Sequence, residues 1–202
     1  MRGLTDKILG RLDQLAGMAV EETYLYKITA GELLPPVELA TGVKIQVVGL
    51  ETVKLLESVE GLSPEDVEQR LRRGDVCYLA YADDRIAHYS WVQRNGYHRI
   101  DTAGIGSEVA EGEYWIYNCR TVDWAKGRRI YPYTLSRILD EHMRHGFLRA
   151  IIYTTRSNRA SENGILRAGF KQVCTLRSFR LGRRYFHLGR VNQGNLGLNR
   201  HA

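Results

Sequence analysis

The sequence predicts an α/β chain built on a mixed, twisted sheet with helices on both faces, and three observations lead there. Residues 76–82 and 85–93 are strand-like runs separated only by Asp83-Asp84, the spacing of a tight hairpin turn. Residues 113–168 run strand, helix, strand, helix, a succession that requires right-handed crossovers and a parallel strand pair. Residues 170–179 and 184–188 flank Leu181-Gly182-Arg183 and read as a closing hairpin.

Taken in order, Leu4, Ile8, Leu12 and Leu15 share one side of a helix that Gly17 stops. Residues 23–29 (TYLYKIT) alternate as a strand, Leu33-Leu34-Pro35-Pro36 breaks the pattern, and residues 43–48 (VKIQVV) resume it. Residues 1–42 are therefore expected to be an N-terminal helix-strand extension ahead of a main domain at 43–190. Two short helices follow, at 51–59 and 63–73. The second opens on Ser63-Pro64-Glu65-Asp66, a cap, a first-turn proline and two acids that favour a helix N-terminus. Residues 95–112 are glycine-rich and weakly patterned, and carry only a variable strand or loop over the substrate side. A strand at 113–122, a loop at 123–129 and a helix at 130–145 come next, the helix marked by Pro132 in its first turn and Gly146 at its end. Leu135, Ile138, Leu139 and Met143 form its buried stripe. A strand at 150–154 and a helix at 159–168 ending on Gly169 precede the closing hairpin. The polar tail 191–202 is expected to lack fixed structure.

Composition narrows the functions. With 202 residues and 44% hydrophobic content the chain fits one core. No apolar run reaches the ~20 residues of a membrane helix, and the charged start carries no signal-peptide core, so a cytoplasmic protein is expected. Cys77, Cys119 and Cys174 are odd in number and lack metal-ligand spacing, so neither disulfides nor a metal is expected. The net charge is +6, with arginines concentrated after residue 128. A basic second half suits a phosphorylated ligand, an acidic carrier protein or nucleic acid, and it also suits helix faces that are merely solvated. Nucleic acid ranks last, because no recognition motif accompanies the charge.

The loop Lys126-Gly127-Arg128-Arg129-Ile130-Tyr131-Pro132 lies between a strand and a helix. Unpaired N–H groups at that helix start can hold a diphosphate, with Lys126, Arg128 and Arg129 adding charge. A plain strand-to-helix turn is the competing reading. Asn158-Arg159-Ala160-Ser161 opens the next helix and Ala168-Gly169-Phe170-Lys171 closes it. In this order and spacing, residues 76–180 resemble the GNAT superfamily, whose members carry a basic or glutamine residue leading a Gly-rich loop, then an Asn-x-x-Ser/Ala helix ending in Gly-Phe.

The resemblance implies the GNAT acyl-CoA N-acyltransferase fold, acetyl-CoA as cosubstrate, and direct transfer of acetyl to the amine of a small molecule or amino sugar in a ternary complex. It implies that the strand at 113–122 splays from its parallel neighbour. The backbone around Cys119 would then polarise the thioester carbonyl and Thr121 would pair with pantetheine. Gly127, Arg128, Arg129, Ile130, Tyr131 and Pro132, led by Lys126, would hold the diphosphate, and Asn158 and Ser161 would meet the cofactor's arm. Three departures stand out: Arg129 and Tyr131 replace small residues, Ile165 stands where many members place a tyrosine acid, and the glutamate-base position falls near Trp115. Glu113, one pleat earlier, is the candidate base and Tyr117 the second catalytic candidate, each with a structural rival as strand end and half-buried aromatic. His88 reads as structural. Residues 85–112 and 176–189 are expected to line the acceptor pocket. An acyl carrier protein as donor, a homodimer, and a non-catalytic acyl-CoA-binding or partner-binding module remain open.

Overall fold

The computed structural model describes residues 18–32, 35, 37, 42–49, 52–57, 59, 63–182, 184–191 and 199–200. The helix expected at residues 4–15 lies outside them. The elements run β1 (Met18–Thr29), β2 (Lys44–Val48), α1 (Lys54–Glu57), α2 (Pro64–Arg72), β3 (Val76–Ala82), β4 (Arg85–Gln93), β5 (Tyr97–Ile100), β6 (Ile105–Glu108) and β7 (Glu113–Thr121). A 3-10 turn (Asp123–Ala125), α3 (Ile130–Arg144), β8 (Arg149–Thr155), α4 (Arg159–Arg167), β9 (Lys171–Leu181), β10 (Arg184–Val191) and β11 (Asn199–Arg200) follow.

Eight strands form one sheet in the order β10-β9-β1-β8-β7-β4-β3-β2, antiparallel except for β7 and β8. Period-two alternation gives the central strands two buried faces. Tyr26, Ile28, Tyr78, Val92, Tyr114, Ile116, Ala150 and Ile152 point to one face, where Leu135, Ile138, Leu139 and Ile165 of α3 and α4 cover them. Cys77, Leu79 and Trp91 point the other way and meet Leu56 and Val67 of α1 and α2. On that second face Leu25, Trp115 and Ile151 are covered instead by Ile100, Ala103 and Ile105. These three belong to the β5–β6 hairpin, which forms a separate three-stranded sheet with β11.

Local signals set the boundaries. Ser63 caps α2, its Oγ accepting from the Asp66 N–H at 3.1 Å. Asp83 and Asp84 take φ of 53° and 54°, so the β3–β4 turn adopts the left-handed pair of a two-residue hairpin without glycine.

Three expectations are corrected. Residues 1–42 are not an extension throughout, because β1 sits inside the main sheet, paired with β8 along Thr23–Thr29 and with β9 from Met18 to Lys27. Its partners lie 120 or more positions along the chain, beyond the reach of any local pattern. Residues 95–112 hold a regular hairpin whose strands are only four residues each, too short to show a period. Within the tail, Asn199–Arg200 pairs with β6 in place of the unstructured segment expected.

Removal of residues 1–29 would leave β8 and β9 with facing, unpaired edges. The expected outcome is loss of soluble folded protein, read by far-ultraviolet circular dichroism. A soluble variant with a cooperative unfolding transition would show β1 to be dispensable.

Candidate functional site

The parallel ladder between β7 and β8 runs from Glu113↔Arg149 to Ile116↔Ile152 and stops. Beyond it β7 stays with β4, reaching Thr121↔His88, with a bulge that leaves Asn118 and Cys119 without ladder partners. Asn118 takes φ 45° at that bulge. The two strands therefore part at their C-terminal ends, and the N-termini of α3 and α4 converge on the gap from the helix face.

Two clefts open from this gap. The helix-face cleft, about 760 Å³, lies between β7, the 126–132 loop and the start of α4. The opposite, hairpin-face cleft, about 630 Å³, lies between α2, the β5–β6 hairpin and the ends of β7 and β8. Asn118, Cys119, Tyr131, Asn158 and Ser161 line both, so the clefts meet through the sheet.

Of the residues assigned to the cofactor from sequence, Cys119, Thr121, Lys126, Gly127, Arg129, Ile130, Tyr131, Pro132, Asn158 and Ser161 stand on the helix-face cleft. Arg128 does not. It turns to the β3–β4 turn, 2.7 Å from Asp83 and 5.5 Å over the Trp124 ring. Arg120, Lys126, Arg129 and Arg167 on the wall outnumber the single carboxylate, Asp123. The Arg129 side chain is exposed, and its backbone takes φ 59°, the left-handed conformation that glycine adopts freely. Asn158 caps α4, its Oδ1 accepting from the Ser161 N–H at 3.1 Å.

Tyr131 fills the space a small residue would leave. Its ring lies on Gly164, where an added Cβ would come within 2.4 Å of Tyr131 Cδ1, and 5.2 Å from the His88 ring. The Tyr131 hydroxyl lies 3.4 Å from Ser161 Oγ and within hydrogen-bond reach of the Cys119 thiol, and burial holds its proton on. Burial also pushes the Cys119 thiol up to about 12, so at neutral pH it is protonated and a poor nucleophile. His88 bridges Thr121 Oγ1 (2.8 Å) and Ser90 Oγ (2.7 Å), both ring nitrogens used and the ring neutral, lowered to about 3 by burial. A histidine so tied braces β4 to β7.

The two catalytic candidates part company. Glu113 lines neither cleft; it pairs with Arg149 at 2.9 Å at the start of β7. Tyr117 stands four residues further on, roughly 13 Å along the strand. The Tyr117 hydroxyl donates to the Asp75 carboxylate and accepts from Arg73 Nη2 at 3.2 Å. Burial, reinforced by Asp75, raises its pKa, so the phenol keeps its proton.

The hairpin-face cleft also holds groups that sequence reasoning missed. Arg70 reaches from α2 over the Trp91 and Tyr117 rings, 5.2 and 5.3 Å from their centroids. His98 on β5 stacks on Trp115 at 4.5 Å with its Nδ1 2.8 Å from Gln93 Oε1. From the 85–112 segment Gln93, Tyr97, His98, Arg99, Asp101 and Thr102 line this cleft, whereas none of 176–189 does. The α2 residues could have been suspected only from helix periodicity, which puts Asp66, Arg70 and Arg73 on one face. Among the described residues no group of three or more His, Cys, Asp or Glu is gathered as for a metal.

No family model matches the sequence and no curated protein is similar to it. Solved structures share its fold. A GCN5-related N-acetyltransferase from Sphaerobacter thermophilus superposes with a TM-score of 0.58 at 16% identity over 94% of this chain. A GNAT-family acetyltransferase from Colwellia psychrerythraea gives 0.56 at 14% over 85%, and a GCN5-related N-acetyltransferase from Kribbella flavida 0.55 at 15% over 78%. This chain spans 57% of the length of each. The chain thus has the GNAT fold expected from its sequence, and at these identities the likeness carries the fold alone.

Two stability measurements follow from the site's geometry. Arg129→Gly relieves a left-handed conformation costing about 1–2 kcal/mol while adding roughly 0.4–1 kcal/mol of unfolded-state freedom. Urea denaturation should show it more stable by about 0.5–1 kcal/mol. His88, His98 and His142 are held by burial at about 3, 3 and 4, below the ordinary 6.5. Below pH 6.5 the unfolded chain takes up protons the folded chain refuses, so stability is full above 6.5 and falls as pH drops toward 4. His88→Gln should remove about 1.4 kcal/mol per pH unit from that slope in denaturation curves taken across the window.

Proposed function

We propose that the chain is an acyl-CoA-dependent N-acetyltransferase, cytoplasmic, that passes acetyl from acetyl-CoA directly to an amine. The observation that supports it most is the passage through the sheet, where clefts on opposite faces meet at Asn118, Cys119, Tyr131, Asn158 and Ser161. A donor on one face and an acceptor on the other can then react without either leaving its site.

The helix-face cleft fits the cosubstrate. Its wall is net basic, two helix N-termini point at it, and an added Cβ at Gly127 would meet nothing within 4 Å, so the loop backbone there is open to a diphosphate. Acetyl-CoA supplies the thioester. In this reading Lys126, Gly127 and Arg129 to Pro132 hold the diphosphate, and the unladdered backbone at Asn118 and Cys119 donates to the thioester oxygen. A C–N bond forms, the C–S bond breaks, the amine gives up a proton and the departing sulfur gains one. Tyr131, protonated and at the junction, is placed to give that proton, a role Ile165 cannot take because its aliphatic side chain carries no ionisable group. Glu113, tied to Arg149 away from the clefts, holds the strand end instead of serving as base.

The test is isothermal titration with acetyl-CoA of the wild type, Gly127→Trp and Asn158→Ala. Saturable binding, lost in Gly127→Trp and weakened in Asn158→Ala, with circular dichroism unchanged, supports the cradle. No binding at millimolar acetyl-CoA would sink the reading.

A further inference from the structure

We infer that the hairpin-face cleft takes an acceptor amine that also carries an anionic group, with Arg70 holding the anion and His98 Nε2 accepting an N–H of the amine. The inference rests on the acyl-transfer reading of that cleft and specifies its substrate class.

Charge is the first observation. Of the basic side chains on the cleft, Arg73 is neutralised by Asp75 at 2.5 Å and Arg99 by Asp101 at 3.0 Å. Arg70 has no carboxylate within ion-pair distance among the described residues. Asp66, one turn earlier on α2, stands at the cleft's exposed wall without pairing to it. The Arg70 guanidinium is held in place all the same. It lies over Trp91 and Tyr117, and the Asn118 amide, whose oxygen is assigned toward Arg70 because only that orientation gives its donors and acceptors partners, accepts from Nη1 at 2.5 Å and Nη2 at 3.2 Å. A guanidinium fixed on aromatic faces and bonded to a neutral amide keeps its full charge and spare N–H donors, the arrangement that takes a carboxylate or phosphate in fork geometry.

The second observation is independent of the first. His98 is 2% exposed, and its Nε2 has no hydrogen-bond partner. The hydrogen-bond network assigns its tautomer. Gln93 Nε2 donates to the carbonyls of Asn95 (2.8 Å) and Tyr97 (3.1 Å), so Gln93 Oε1 faces His98 and must accept from Nδ1–H. Nε2 is left as a bare acceptor. Burying such a group unmet is costly, and here it belongs to a ring on the wall of the cleft, so a donor on the ligand is what completes it.

The two sites are adjacent. Tyr117 separates them, its ring 5.3 Å from the Arg70 guanidinium and 5.3 Å from the His98 ring, and its hydroxyl already committed to Asp75. A small molecule bearing an amine and an anion a few bonds apart spans that gap.

Carboxylate and phosphate are separated by matched probes. Thiol release from acetyl-CoA is measured with glycine against glycinamide, and with phosphoethanolamine against ethanolamine. Binding of the same four is read without turnover from the NMR shifts of the Arg70 guanidinium and the His98 ring nitrogens. One anionic probe should exceed its neutral partner in kcat/KM by at least about tenfold, and should shift both residues. Arg70→Gln should erase the preference, Arg70→Lys should restore part of it, and His98→Leu should raise KM for the preferred amine, with acetyl-CoA affinity unchanged in all three. Equal use of neutral and anionic amines, or a preference surviving in Arg70→Gln, overturns the inference, as does the absence of any shift in the wild type. Anion-dependent shifts without thiol release uphold the binding site and reject the acyl-transfer reading.

Discussion

The end of the parallel ladder at Ile116↔Ile152 is the constraint on which the rest depends. A parallel pair is normally continuous and covered on both faces, which would close the sheet at its middle. Here the bulge at Asn118 keeps β7 with β4 while β8 leads into α4, and the sheet opens between the two strands. Both clefts border that opening: two helix N-termini on one side, α2 and the β5–β6 hairpin on the other. Continuing the ladder past Ile116 would close the passage between β7 and β8.

An opening in the middle of a sheet exposes polar backbone in a dry place, and the surrounding side chains answer for it. His88 uses both nitrogens on Thr121 and Ser90, and the Tyr131 hydroxyl lies within reach of both Cys119 and Ser161 across the gap. Burial keeps all of these neutral at ordinary pH, with His88 unprotonated and the Cys119 thiol and Tyr131 phenol protonated. The passage is therefore lined with groups that donate and accept hydrogen bonds without charge, while charge is kept to the outer walls in Lys126, Arg129 and Arg70. That separation suits a reaction in which charge develops only briefly at the centre.

How much of this was legible in the sequence depends on how local each signal is. The β3–β4 hairpin, the Ser63 cap, the helix starts at Ile130 and Asn158 and the β7–β8 parallel pair are encoded within a few residues of themselves, and they were readable. The place of β1 was not, because a strand's alternation says that it pairs and not with what. The site divides the same way. The 126–132 loop and Asn158 mark helix starts within a few residues of themselves, whereas Arg70 and His98 belong to segments that meet only after the sheet forms. Glu113 shows the opposite failure: it shares a strand face with Tyr117 but stands too far along the strand to share its cleft.

The two residues that break the small-residue pattern of the loop, Arg129 and Tyr131, have different consequences. Arg129 keeps the left-handed turn a glycine would give and sends its side chain outward, so the backbone path survives at a cost in strain. Tyr131 changes the site itself. Its ring fits only because position 164 on α4 is glycine, and together the pair sets a tyrosine hydroxyl at the junction of the clefts. Ile165, next in sequence to that glycine, packs as a core side chain, and the hydroxyl that reaches the passage comes from the other helix. Gly164 and Tyr131 thus act as a pair: the glycine admits the ring, and in the proposed reaction that ring would carry the proton that Ile165 has no group to give.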